Sequence, residues 1–179
     1  MTVLSSACSR FSSSIHALEA FHGDGSSTLE LLESLPAGST LVSVDPCREV
    51  DPKAFARLCR GSSRYVSGEV RLLPVYGEVS RAVSRLEAPP WLSLVVWGGG
   101  DWPREVEDFW AGVAPLLSPE FCVLVLPDSC RVLWELVCRF GFSTALGESG
   151  GLMVSERRLV RTGADGVPRD GLAGEVEDG

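Results

Sequence analysis

Residues 17–32, ALEAFHGDGSSTLELL, decide the fold. The stretch runs from an apolar strand through a glycine-containing turn into the start of a helix. Gly23 and Gly25 let the backbone turn sharply and let a ligand approach closely, because neither carries a Cβ. Ser26, Ser27 and Thr28 open the helix, where hydroxyls cap free N–H groups or donate hydrogen bonds. Three chemistries use such a turn: a phosphate cradle, a nucleotide-cofactor pocket, or close packing of a strand against a helix. A P-loop needs a Lys to reach the terminal phosphates. The turn HGDGSST (22–28) contains none, and Asp24 repels phosphate.

Outward from this turn, apolar runs alternate with amphipathic ones. HALEAF (16–21) reads as the first strand, STLELLESL (27–35) as a helix with Leu29, Leu32 and Leu35 on its buried face, and STLVSVD (39–45) as the second strand. DPKAFARLCRG (51–61) reads as a helix capped by Asp51, with Pro52 at its first position and Gly61 after its end. RYVSGEVRLLPVYG (64–77) has strand character broken by Gly68 and Pro74, and EVSRAVSRLEA (78–88) is helical. WLSLVVWGGG (91–100) and EFCVLVLPDS (120–129) are near-continuous apolar strands. WPREVEDFWAGVAPLLSP (102–119) between them reads as a helix with Val106, Phe109, Trp110 and Val113 inward. CRVLWELVCRFG (130–141) is a further helix, and FSTALGESGGLMVSERR (142–158) permits a closing hairpin. Buried strands alternating with helices predict a doubly wound α/β domain on a mostly parallel sheet with an antiparallel last strand. That domain is expected over residues 15–162. Residues 1–14 are expected to form a loose arm or a short helix around Phe11 and Ile15. Residues 163–179, Gly-rich and acidic, are expected to be a disordered tail.

Bulk properties narrow the function. The 179 residues carry a formal charge of -8, which disfavours nucleic acid as a partner, although one basic patch would escape that average. Lys53 is the sole lysine among 16 basic residues, a bias that reads as a compositional habit rather than a function. The six cysteines form no CxxC pair and no Cys/His cluster, so no zinc site is expected. No run approaches the ~20 apolar residues of a membrane span. The N-terminus does not read as a signal peptide. The expectation is a cytoplasmic protein with reduced thiols.

In an open parallel sheet, ligands bind beyond the carboxyl ends of the strands, where the strand order reverses. Asp45, twenty residues after Gly25, closes the second strand, where a carboxylate accepts hydrogen bonds from ribose hydroxyls. The plainer reading is that the glycines serve packing and that Asp45 caps a turn. His22, beside the turn, is the candidate general base, with a hydrogen-bonded structural role as its alternative. His16 reads as structural. Trp97, Trp102 and Trp110 line an apolar substrate pocket on one reading, and belong to the core or to a homodimer interface on the other.

ALEAFHGDGSSTL (17–29) resembles the first motif of S-adenosylmethionine-dependent methyltransferases, in particular the small-molecule O-methyltransferase-like branch. Leu18, Glu19, Gly23, Gly25, Ser27, Thr28 and Leu29 match it. The resemblance runs from Ile15 to Arg158, with WLSLVVWGGG and EFCVLVLPD similar to the family's fourth and fifth strands and RFGFSTALGESGGLMVSER (139–157) to its closing hairpin. It implies a seven-stranded Rossmann-like sheet with a reversed last strand, and S-adenosylmethionine as cofactor. By position, the loop Gly23, Asp24, Gly25 would lie beside the methionine part, Glu19 would bind the amino group, and Asp45 would hold the ribose. Tyr76 or Glu78, in PVYGEV (74–79), would face adenine. Two departures stand out. Phe21 occupies the family's first loop glycine. Gly98, in WGGGDW (97–102), stands where metal-dependent members carry their first carboxylate, leaving only Asp101 nearby. The leading expectation is a metal-independent methyltransferase acting on a small molecule or another acceptor. The second is a degenerate, non-catalytic member serving as an interaction module. A degenerate RecA-like ATP-binding domain is a distant third, disfavoured by the missing Lys.

Overall fold

The computed structural model describes residues 2–20, 23–45, 51–77, 91–98, 109–127, 143–144 and 152–158. The expected helices at 78–88 and 130–141, and the tail from 163, lie outside them.

Five strands form a parallel sheet: β1 (His16–Ala20), β2 (Thr40–Asp45), β3 (Arg71–Tyr76), β4 (Leu92–Trp97) and β5 (Phe121–Pro127), in the order β3-β2-β1-β4-β5. Beyond β5 the backbone pairs antiparallel with β7 (Leu152–Arg158), which also pairs with the short β6 (Ser143–Thr144). The chain moves outward from β1 through β2 to β3, then returns to β4 on the other side of β1. The strand order therefore reverses between β1 and β4, which fixes the ligand-binding edge of such a sheet at their carboxyl ends.

Both faces of the central strands β1, β2 and β4 are covered, which is why they are mostly apolar rather than alternating, whereas the edge strand β3 mixes buried, half-buried and exposed residues. On one face Leu18, Ala20, Val42, Val44, Val95 and Trp97 pack with Phe109, Trp110 and Val113 from a helical turn over residues 109–113. On the other, Ala17, Leu41, Leu94, Val96 and Val123 meet α1 (Val3–Cys8), α2 (Ser26–Ser34) and α3 (Pro52–Cys59).

The helices follow their local chemistry, with three differences from expectation. α3 starts as read: Asp51 accepts the Lys53 amide at 2.9 Å, and Pro52 occupies the first turn. The buried stripe of α2 is Thr28, Leu31, Leu32 and Leu35 rather than Leu29, Leu32 and Leu35, with Leu29 only half-buried. The spacing i, i+3, i+4, i+7 follows a 3.6-residue turn, whereas a strict three-residue spacing drifts off the face. The N-terminal helix lies at Val3–Cys8, not around Phe11, and Val3, Leu4, Ala7 and Cys8 are core residues packed on α2 and β5. Phe11 instead stacks obliquely on Phe121, with ring centroids 5.4 Å apart. In RYVSGEVRLLPVYG only Arg71–Tyr76 is strand, because Ser63–Val66 forms a short helix, α4, ended at Gly68 with φ +79°. Pro74 is accommodated because β3 is the sheet's edge, where a missing N–H costs no ladder bond.

Candidate functional site

The carboxyl ends of β1, β2, β3 and β4 form one ledge, since Ala20 is in register with Val44 and Trp97, and Asp45 with Tyr76. The turn of residues 23–25 rises from this ledge. Gly23 has φ +54° and Gly25 φ +86°, a left-handed conformation costly to any residue with a Cβ. Their surroundings differ. Among the described residues a Cβ on Gly23 would meet nothing within 4 Å, whereas one on Gly25 would lie 2.7 Å from Leu58 Cδ2 and 3.0 Å from Phe55 Cδ2. Gly25 is thus a packing glycine beneath α3, whereas among the described residues nothing packs against the Cβ position of Gly23.

The two halves of the expected cofactor site meet. The Gly23 amide donates to Asp45 Oδ2 at 3.1 Å, and Asp45, at the end of β2, is 8% exposed. Its backbone carbonyl accepts the Gly77 amide at 2.9 Å, which holds the exit of β3 beside it. Tyr76 is 40% exposed, and its ring stands edge-on to Phe55 with centroids 6.4 Å apart. Gly98 lies exposed at the exit of β4, its amide donating to the Ala20 carbonyl at 2.9 Å. Asp24 is exposed and accepts the Ser26 amide at 2.9 Å, which fixes the first turn of α2 and holds the Asp24 carboxyl below the usual range. Phe21, His22, Glu78, Asp101 and Trp102 lie outside the described residues.

Glu19 is placed differently from the other matched residues. It is 1% exposed, and its carboxylate accepts Ser27 Oγ at 2.5 Å, Thr28 Oγ1 at 2.5 Å and Ser43 Oγ at 2.9 Å. A buried carboxylate needs several donors to offset lost hydration. These three tie β1 to the first turn of α2 and to β2. Ser43 was not singled out from the sequence, although it is the one polar residue within the apolar run of β2 and pairs directly with Glu19 in the β1–β2 register. Phe55 and Leu58, which close over Gly25, were also missed.

Trp97 and Trp110 are core residues, not the lining of an open pocket; Trp97 packs on Phe109 with centroids 4.5 Å apart. His16 is half-buried, and desolvation lowers its pKa. Among the described residues no group of His, Cys, Asp and Glu side chains is arranged to hold a metal ion, and no helix is long and apolar enough to cross a membrane.

At the level of sequence, no family model and no curated protein matches the chain. Solved structures do match. A methyltransferase from Geobacter sulfurreducens superposes with a TM-score of 0.63 over 88% of this chain and 76% of its own, at 15% identity. A precorrin-6y C5,15-methyltransferase from Geobacter metallireducens GS-15 gives 0.56 over 86% and 84%, at 17% identity. The O-methyltransferase TomG from Streptomyces achromogenes, crystallised in complex with SAM, gives 0.54 over 80% and 72%, at 15% identity. The resemblance carried by residues 17–29 thus extends to the architecture, and the chain is built on the fold of the S-adenosylmethionine-dependent methyltransferases.

Proposed function

We propose that the chain is an S-adenosylmethionine-dependent methyltransferase that acts without a metal on a small-molecule or other acceptor. The observation that carries this reading is the contact between the Gly23 amide and the Asp45 carboxylate at the ledge where the strand order reverses. That contact joins the Gly23 turn to Asp45 at the end of β2, and a carboxylate after the second strand is where dinucleotide sites accept ribose hydroxyls. The residues present fit the cofactor. Asp45 would hold the ribose, the Gly23–Gly25 turn would face the methionine part, and Tyr76, backed by Phe55, or Glu78 would lie against adenine. Asp24 and Asp45 suit a cationic group and disfavour a triphosphate. Glu19 would act one step back, holding the helix start through Ser27 and Thr28. When bound, the cofactor supplies an electrophilic methyl group. The chain's own part is to hold the acceptor in line, with His22 as the proton acceptor. The seven-stranded sheet with a reversed last strand, the cytoplasmic setting and a homodimeric state belong to the same reading.

Calorimetric titration with S-adenosylhomocysteine tests it. Saturable binding that weakens by about tenfold or more on Asp45→Asn is the expected result. Absence of binding at millimolar ligand would end the reading. A second reading, a methyltransferase-like module without catalysis, is favoured by Phe21 in place of a loop glycine and by Gly98 in place of a carboxylate. It expects weak or no affinity in the native chain and a gain in Phe21→Gly.

A further inference from the structure

The outer face of α3 carries a cluster that the cofactor reading does not use. Lys53, Arg57 and Arg60, with Ala56 and Asp51, line a surface cavity of about 310 Å³. At about 100° per residue, the three cations fall within an arc of about 60° on one side of the helix. Phe55, Leu58 and Cys59 occupy the opposite side, and Phe55 and Leu58 pack toward Gly25. The cavity therefore lies across α3 from the glycine turn.

Two features make this groove more than a solvated helix face. Lys53 and Arg57 (i, i+4) and Arg57 and Arg60 (i, i+3) are like-charged neighbours that repel. Arg57 and Arg60 sit at the C-terminal end of α3, where the helix dipole favours cations and offsets part of that repulsion. No side-chain partner is seen for any of the three among the described residues. Arg64, by contrast, is neutralised by Glu69 at 3.1 Å and donates to the Glu33 carbonyl at 2.9 Å. The one acid in the lining, Asp51, already accepts the Lys53 amide at the helix cap. The second feature is contrast with the rest of the molecule. In a chain of net charge -8, this groove gathers the sole lysine and two arginines around one cavity.

The chemistry selects the ligand class. Two guanidinium forks and an ammonium group offer the donor set that recognises phosphate oxygens, with Arg binding bidentately. The five lining residues are all exposed and all belong to α3 and its caps, so the depression is shallow and open, a surface that suits a compact anion held by charge rather than an enclosed ligand. An extended polyanion would also have to approach an acidic surface. We propose that the α3 groove binds a phosphate-bearing small molecule at a site separate from the cofactor ledge.

Inorganic pyrophosphate is the probe, titrated calorimetrically into the full chain at about 50 mM salt, where surface charges are weakly screened. The expected result is saturable binding that falls by about tenfold or more in the double variant Arg57→Gln, Arg60→Gln. S-adenosylhomocysteine binding, or its absence, is the same in native and variant protein, which separates this proposal from the methyltransferase reading. All the altered side chains are exposed. Ala56→Glu is a second variant that keeps every cation yet places a carboxylate in the groove, and it should abolish pyrophosphate binding. No saturable binding up to about 10 mM pyrophosphate would overturn the proposal. So would binding that ignores both variants. Tighter binding of a single-stranded oligonucleotide through the same arginines would overturn it in favour of a nucleic-acid surface.

Discussion

Gly23 and Gly25 stand two residues apart with positive φ, yet they answer to different constraints. A Cβ on Gly25 collides with Leu58 and Phe55, so Gly25→Ala pays both backbone strain and a displaced α3. Its unfolding free energy should fall by roughly 2–4 kcal/mol. Gly23→Ala meets no described neighbour and should cost the backbone strain alone, about 1 kcal/mol. Urea denaturation of the two variants measures the difference; equal losses would mean that α3 does not press on Gly25. Ser43 poses the corresponding test for Glu19. Ser43→Ala removes one of the hydroxyl donors to a buried carboxylate and should cost about 1–3 kcal/mol. A neutral Ser43→Ala would show that the carboxylate does not depend on this donor.

Among the elements, α1 shows how a short segment is stabilised by its surroundings rather than by its own propensity. Six residues are too few for an independent helix. Val3, Leu4, Ala7 and Cys8 nevertheless fill a groove between α2 and β5. Leu4→Ala should destabilise the domain by about 2–5 kcal/mol in thermal or urea unfolding, as for other buried leucines. A loss below about 0.5 kcal/mol would mark α1 as a dispensable arm. This helix was not legible in the sequence: Val3, Leu4, Ala7 and Cys8 do recur at i, i+1, i+4 and i+5, but six residues are too short a window for that spacing to decide, and their burial is set by distant elements. α3 was legible, since its Asp-Pro start is local chemistry. The face of α2 was legible only in part: Leu29, Leu31 and Leu32 are crowded together, and what settles the phase is Thr28 turning inward to Glu19. Asp45 and the glycine turn could be read from position after a strand. Ser43 as Glu19's partner could not, because it depends on the β1–β2 register.

For the molecule as a whole, two packed faces of one sheet account for the state of its thiols and for the place of its site. Cys8, Cys59 and Cys122 are buried, and Cys8 and Cys59 are free thiols. Burial, aided by Glu30, pushes the Cys8 thiol up to about 12; burial, aided by Glu19, pushes Cys59 up to about 11. Both thiols are held protonated in the folded state, so their stabilising effect is complete below the ordinary pKa of 9.0 and is lost as pH rises toward about 11 and about 12. The native protein should therefore resist thiol alkylation at these three positions at neutral pH. Its melting temperature should fall above pH 9.0, less so in a Cys8→Ala, Cys59→Ala variant. Rapid labelling of Cys8 in the native state would contradict the packing of α1. Cofactor binding at the ledge where Gly23 meets Asp45 is tested most directly by calorimetric titration with S-adenosylhomocysteine. Saturable binding in native protein, weakened about tenfold or more by Asp45→Asn with folding intact, is the predicted result. No binding at millimolar ligand, or binding indifferent to Asp45, would contradict it.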